Sequence, residues 1–341
     1  MKRTLSTGQP PSPTDLPSES SWFEDFFQDF SDEETQSEPV LSNHTSADPS
    51  MLMDAEFNEL SISTGEHTAP EKSARSTSTS SAAASAMIGG ELTALKEAAF
   101  SGDAESQFRL GDYYYRRQDL EENKEQAFMW YHNAASQGHI AAQFIVGLMY
   151  DNGEGIEVDK EKAFNWYHAA ADQGHAVSQF NVGMMCDAGV DVDKNKEKAF
   201  VYFHKAAEQG DSIAQFKVGL MYAYGIGVEK NNGEAFAWYQ KAADQGHAVS
   251  LLAVGLFYKN GLIFEENKEK AFAYFLNAAE QGVLDAKLEL GLAYSTGEGV
   301  EKNSEKAFAL FQEAALQGQS EAQFNLGVAY AGGKGVKANK E

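Results

Sequence analysis

The stretch YDNGEGIEVDKEKAF, residues 150–164, holds the first residues that suggest chemistry. Gly153 and Gly155 stand one residue apart just ahead of a helix start, and glycine-rich loops that open helices are where backbone N–H groups cradle phosphates. Histidines are the second candidates. His132, His168 and His204 are spaced by 36 residues, as are His139 and His175, with His247 two steps further on. Imidazoles at a fixed spacing raise the question of a metal site. Cys186, the only cysteine, raises that of a nucleophile.

The spacing argues against all three. The glycine pair returns as Gly225 and Gly227, Gly297 and Gly299, Gly333 and Gly335, while Asp191 and Ile263 replace the second glycine in two further copies. A phosphate loop would not be copied so often, nor accept an aspartate where an anion approaches. It also follows a helix, whereas a dinucleotide fingerprint follows a strand. The loop reads as a tight helix–helix turn needing positive φ, with Ile156, Val192, Val228, Phe264 and Val300 folded back behind it. Repeated helices stack about 10 Å apart, too far for one metal with bonds near ~2.1 Å to join histidines of successive copies. The histidines read as polar positions of the repeat, and Cys186, in the slot of Tyr150 and Tyr222, as a packing residue. No catalytic constellation, cofactor site or metal site is expected.

These residues sit in a periodic chain. Gly102, Gly138, Gly174, Gly210, Gly246, Gly282 and Gly318 recur every 36 residues without an insertion. Six units run from 103 to 318, a half unit occupies 89–102, and a seventh begins at 319 and stops early, within 319–341. A fixed period of this length is the mark of stacked supersecondary units. Each unit reads as two helices. The first carries Phe144, Val146, Gly147 and Tyr150 in the second unit; the second opens at a cap (Asn123, Asp159, Asn195, Asn231, Asn267 or Asn303). It then bears an apolar stripe, Ala163, Phe164, Tyr167 and Ala170, and ends at Gly174. A glycine inside a helix costs about 1 kcal/mol against alanine, so the recurrence of Gly147 predicts close helix contact there.

The small residue, "LG", "GxGV" and "KAFxWYxKAAxQG" at this period resemble Sel1-like repeats, relatives of the tetratricopeptide repeats, over about residues 89–341. The resemblance implies an all-α fold, a right-handed α-solenoid of helix-turn-helix repeats that binds proteins or peptides as an adaptor, in many bacterial cases at the host interface. Some cysteine-rich relatives have been discussed as β-lactamase-like. This chain has neither their paired cysteines nor an S-x-x-K, so such a hydrolase is the disfavoured alternative.

Residues 1–88 differ. All seven prolines lie at or before Pro70, Ser and Thr are dense, and the segment reads as a disordered acidic tail. Within it, SSWFEDFFQDFSDEE (20–34) spaces Trp22, Phe23, Phe26, Phe27 and Phe30 as one helical face behind a Ser21/Glu24 capping box. A short helix at 21–31 would suit docking into a groove, including the groove of the repeats to which it is tethered. The net charge of −24 argues against nucleic acid and against a polybasic membrane contact. No apolar run approaches the roughly 20 residues of a membrane helix. A lone cysteine and no secretory h-region after Lys2 and Arg3 suit a reducing, cytoplasmic setting. The Ser/Thr-rich start equally suits an effector exported into a host cell by a non-Sec route.

Where would a partner bind? Positions that change between units fall on one face of the first helix. They are Ala141, Ile145, Leu148 and Asn152; then Val177, Asn181 and Met184; Ile213, Lys217, Leu220 and Tyr224; and Val249, Ala253 and Leu256. Charged residues flank them, Glu105, Arg109, Asp112 and Arg116 on one side, Asp285 and Glu289 on the other. If first helices line the inner curve, this is an apolar trough for an apolar or amphipathic peptide of a partner protein. The alternative is that Leu148, Leu220 and Leu256 only fill space between repeats. At the far end the sequence stops at the start of a second helix, Asn339–Glu341, so the last face is expected either to self-associate or to be completed by further chain.

Overall fold

Five of the seven units begin on a residue whose side chain caps the first helix, while Val283 and Gln319 supply no such cap. Asp103 accepts the Ser106 N–H at 2.8 Å, and His139, His175 and His247 accept the N–H groups of Ala142, Ser178 and Ser250 through Nδ1 at 3.2 Å. The second helices start likewise on Asp159, Asn195, Asn231, Asn267 and Asn303, each accepting the N–H three residues on. A computed structural model of the protein describes residues 80–117, 121–189, 194–333 and 335. Residues 1–79 of the expected disordered tail, with the docking helix at 21–31, lie outside the described residues.

Fourteen helices and no strand are found among the described residues. They form two bodies divided between Ala214 and Gln215. In the first, α1 (Ser80–Phe100) precedes three pairs: α2 (Ala104–Tyr115) with α3 (Glu121–Ser136), α4 (Ile140–Asn152) with α5 (Lys160–Asp172), and α6 (Ala176–Ala188) with α7 (Lys196–Glu208). The division falls within α8 (Ser212–Tyr224). The second body continues with α9 (Asn232–Asp244), α10 (Ala248–Asn260), α11 (Lys268–Glu280), α12 (Leu284–Thr296), α13 (Ser304–Leu316) and α14 (Ser320–Gly332). From α1 to α7, and again from α9 to α14, each helix packs on the next, which is the solenoid arrangement.

The contact inside each pair is set by the helical glycine. A Cβ built on Gly147 would lie 2.7 Å from the Tyr167 ring, on Gly183 2.7 Å from Phe203, and on Gly219 2.7 Å from Tyr239. Gly111 meets Tyr131, Gly255 meets Phe275 and Gly291 meets Phe311 in the same way. The cost of a mid-helix glycine is thus offset by a buried ring lying directly on the neighbouring backbone.

Helix α1 runs from Ser80, its SSAAASA start rich in the best helix former. One expectation is corrected. Asn123 does not cap α3: Glu121 and Glu122 extend that helix by a turn, and the Asn123 amide instead donates to the Arg117 carbonyl.

Helix propensity alone predicts that Gly147→Ala stabilises the protein by about 1 kcal/mol. The ring contact predicts the opposite, a loss of about 1–3 kcal/mol from overpacking. Urea unfolding decides between them, and a stabilised variant would contradict the contact.

Candidate functional site

The paired glycines are a joint. Gly153 and Gly155 take φ of 73° and 67°, the left-handed region. The first closes α4 as its cap, its N–H bonding to the Met149 carbonyl. The second presses on the preceding unit: a Cβ on Gly155 would lie 2.5 Å from the Lys124 carbonyl, and one on Gly299 2.2 Å from that of Lys268. Backbone of the neighbouring unit fills the place an anion would occupy.

The histidines are also accounted for. His139, His175 and His247 cap first helices, and their rings lie on Phe108, Phe144 and Phe216 with centroids 4.4, 4.9 and 5.1 Å apart. On the second helices, His132 meets Trp166, and His168 Nε2 lies 3.0 Å from the Tyr202 hydroxyl. Among the described residues no group of three His, Cys, Asp or Glu side chains is placed to hold a metal. Cys186 is fully buried, and burial pushes its thiol pKa up, away from the thiolate.

A polar ladder that sequence reading missed links successive units. Gln143 donates to the Ala135 carbonyl (3.2 Å) and accepts from Gln173 (2.7 Å); Gln173 also donates to the Gly138 carbonyl (3.2 Å). The same arrangement joins Gln107 to Gln137, Gln179 to Gln209, and Gln215 to Gln245. Its sequence signal was present in the repeated glutamines of "AQF" and "QG". Buried charges are handled by pairing. Asp151, buried, takes Lys160 Nζ at 2.5 Å, and Glu289 takes Lys259 Nζ at 2.8 Å. Burial holds the Glu289 pKa up despite Lys259, and burial together with Asp172 pushes Tyr202 up to about 12.

The face of changing residues divides in two. Ile145, Leu148, Asn181, Lys217, Leu220, Ala253 and Leu256 are buried, so a partner does not reach them. In the second body Leu220, Ala253 and Leu256 belong to one core with Phe216, Leu252 and Phe257. The trough as drawn from the sequence therefore has no open floor: apolar side chains on this face are taken up by packing between helices. Ala141, Val177, Met184, Ile213, Tyr224 and Val249 are half-buried, and Asn152 is exposed. At the far end, α14 leaves Phe324 72 % exposed, with Val328 and Tyr330 also open.

If His175 serves as a cap, His175→Ala costs about 0.5–2 kcal/mol, whereas His175→Asn, which also caps, recovers most of it. Thermal or urea unfolding of the two variants checks this; equal losses would remove the capping role.

The model of the Sel1 repeat family matches seven consecutive segments, 104–139, 140–175, 176–211, 212–247, 248–283, 284–319 and 320–341. Among solved structures, a protective antigen of uropathogenic Escherichia coli with an SLR fold is 36% identical at a TM-score of 0.63, covering 71% of this chain and 52% of its own. This chain thus spans about half the length of that protein. A Sel1 repeat protein from Oxalobacter formigenes is 33% identical at a TM-score of 0.60, covering 74% of this chain and 73% of its own. No curated protein sequence matches the chain. Among the described residues no helix is long and apolar enough to cross a membrane. With six full segments and part of a seventh matched in unbroken register, the chain belongs to the Sel1 repeat family.

Proposed function

We propose that this protein is a non-catalytic scaffold that binds a peptide or helix of another protein on the face of its first helices. Sel1-repeat proteins are generally protein-interaction scaffolds and generally non-catalytic. One observation supports the location: the recurring Gly147, Ala163 and Tyr167 and their counterparts in the six full units are buried, whereas the changing first-turn positions Ala141, Val177, Ile213 and Val249 are half-exposed. In the first body Ala141, Asn152, Val177 and Met184 supply a mixed apolar and amide surface, suited to an amphipathic segment whose apolar side chains lie inward.

The experiment separates contact from packing. A photo-crosslinking residue at Val177 captures the partner, and one at Asn165, exposed on a second helix, does not. Val177→Asp with Met184→Asp abolishes capture while circular dichroism stays unchanged. Ile145→Asp, by contrast, unfolds the protein. Equal capture from Val177 and Asn165 would reject this face.

A further inference from the structure

The first repeat departs from the others in one respect. Arg109, Arg116 and Arg117 are the only arginines after Arg75, and they cluster on α2 and the residues just after it, in a chain of net charge −24. The position of Arg109 is buried in each of the next five units, as Ile145, Asn181, Lys217, Ala253 and Glu289. In the first unit it is exposed, and Arg109 has no carboxylate partner among the described residues.

Tyr113 continues the stripe at i+4, with Arg116 at i+7 and Arg117 at i+8. Arg117 lies 3.8 Å over the Tyr113 ring, and Tyr113 and Tyr114 meet edge-on with centroids 5.5 Å apart. Arg116 is held by Asp112 at 3.3 Å, and the one nearby exposed acid on this helix, Glu105, is engaged by His139 at 3.1 Å. The surface thus offers guanidinium forks beside two tyrosine rings, suited to carboxylates flanked by aromatic side chains.

We propose that this surface binds residues 20–34 of the same chain. That segment carries Glu24, Asp25, Asp29, Asp32, Glu33 and Glu34 with no basic residue, and five aromatic rings. In helical register Asp25, Asp29 and Asp32 fall at i, i+4 and i+7, the spacing of Arg109, Tyr113 and Arg116. Residues 35–79 join it to Ser80, and a chain of that length reaches about 150 Å at full extension, several times the ~30 Å length of α1. The segment needs no apolar floor of the kind that packing has closed, and its charge excludes it from acidic surfaces elsewhere on the protein.

Hydrogen exchange of the full chain at low salt tests this. Amides of residues 20–34 exchange at least about tenfold more slowly than in the isolated 20–34 peptide. Protection disappears in Arg109→Glu/Arg117→Glu, in 0.5 M salt, and in Asp25→Asn/Asp29→Asn/Asp32→Asn, which leaves the repeats untouched and so does not depend on their folding. Asp25→Lys/Asp29→Lys restores protection to the arginine variant. Exchange at the isolated-peptide rate in the wild-type chain overturns the proposal, as does protection that survives both sets of charge changes.

Discussion

An aromatic ring resting on a glycine backbone is the constraint on which this fold depends. Tyr167 on Gly147, and its five counterparts, bring the two helices of a pair closer than any residue with a Cβ would allow. The glycine costs about 1 kcal/mol of helix propensity, while burying a large aromatic side chain returns about 1.5–3 kcal/mol. The balance favours the contact, but only if ring and glycine stay in register. An inserted residue in either helix would move the ring off its glycine, which explains a period held at 36 residues over the whole array.

Once the pairs are fixed, the polar groups at their ends have few places to go. Glutamines from adjoining units complete each other's hydrogen bonds, as Gln143 does between Ala135 and Gln173. Histidine and asparagine caps use up the first N–H groups of the helices, and the left-handed glycines close their ends. The surfaces proposed for recognition are the half-exposed residues of the first helices, and the arginine and tyrosine surface of the first unit, where the equivalent of a buried position is open.

The sequence made the frame legible because repetition multiplies each signal. One Gly147 inside a helix is ambiguous; six at a fixed spacing, each facing a Tyr or Phe twenty residues later, are not. The histidines read as positions of the repeat, and the capping role of His139, His175 and His247 needed the geometry of Nδ1 against the N–H three residues on. The face proposed for recognition was half legible. Helical spacing places Ile145 and Leu148 on the same face as Ala141, but their burial depends on how neighbouring helices pack, and one helix's periodicity does not contain that. Asn123 shows the same limit at smaller scale: its cap signature matched its counterparts, and two preceding glutamates overrode it.

The ring-on-glycine contact is open to direct observation by nuclear magnetic resonance of glycine-labelled protein. A tyrosine or phenylalanine face held against a glycine Cα shifts its α-protons upfield. Gly111, Gly147, Gly183, Gly219, Gly255 and Gly291 are predicted to show that shift, whereas Gly327, which has no atom within 4 Å of a built Cβ, is not. Should all seven resonate together at ordinary glycine positions, the helices of each pair are not joined in this way, and the account of the repeat fails.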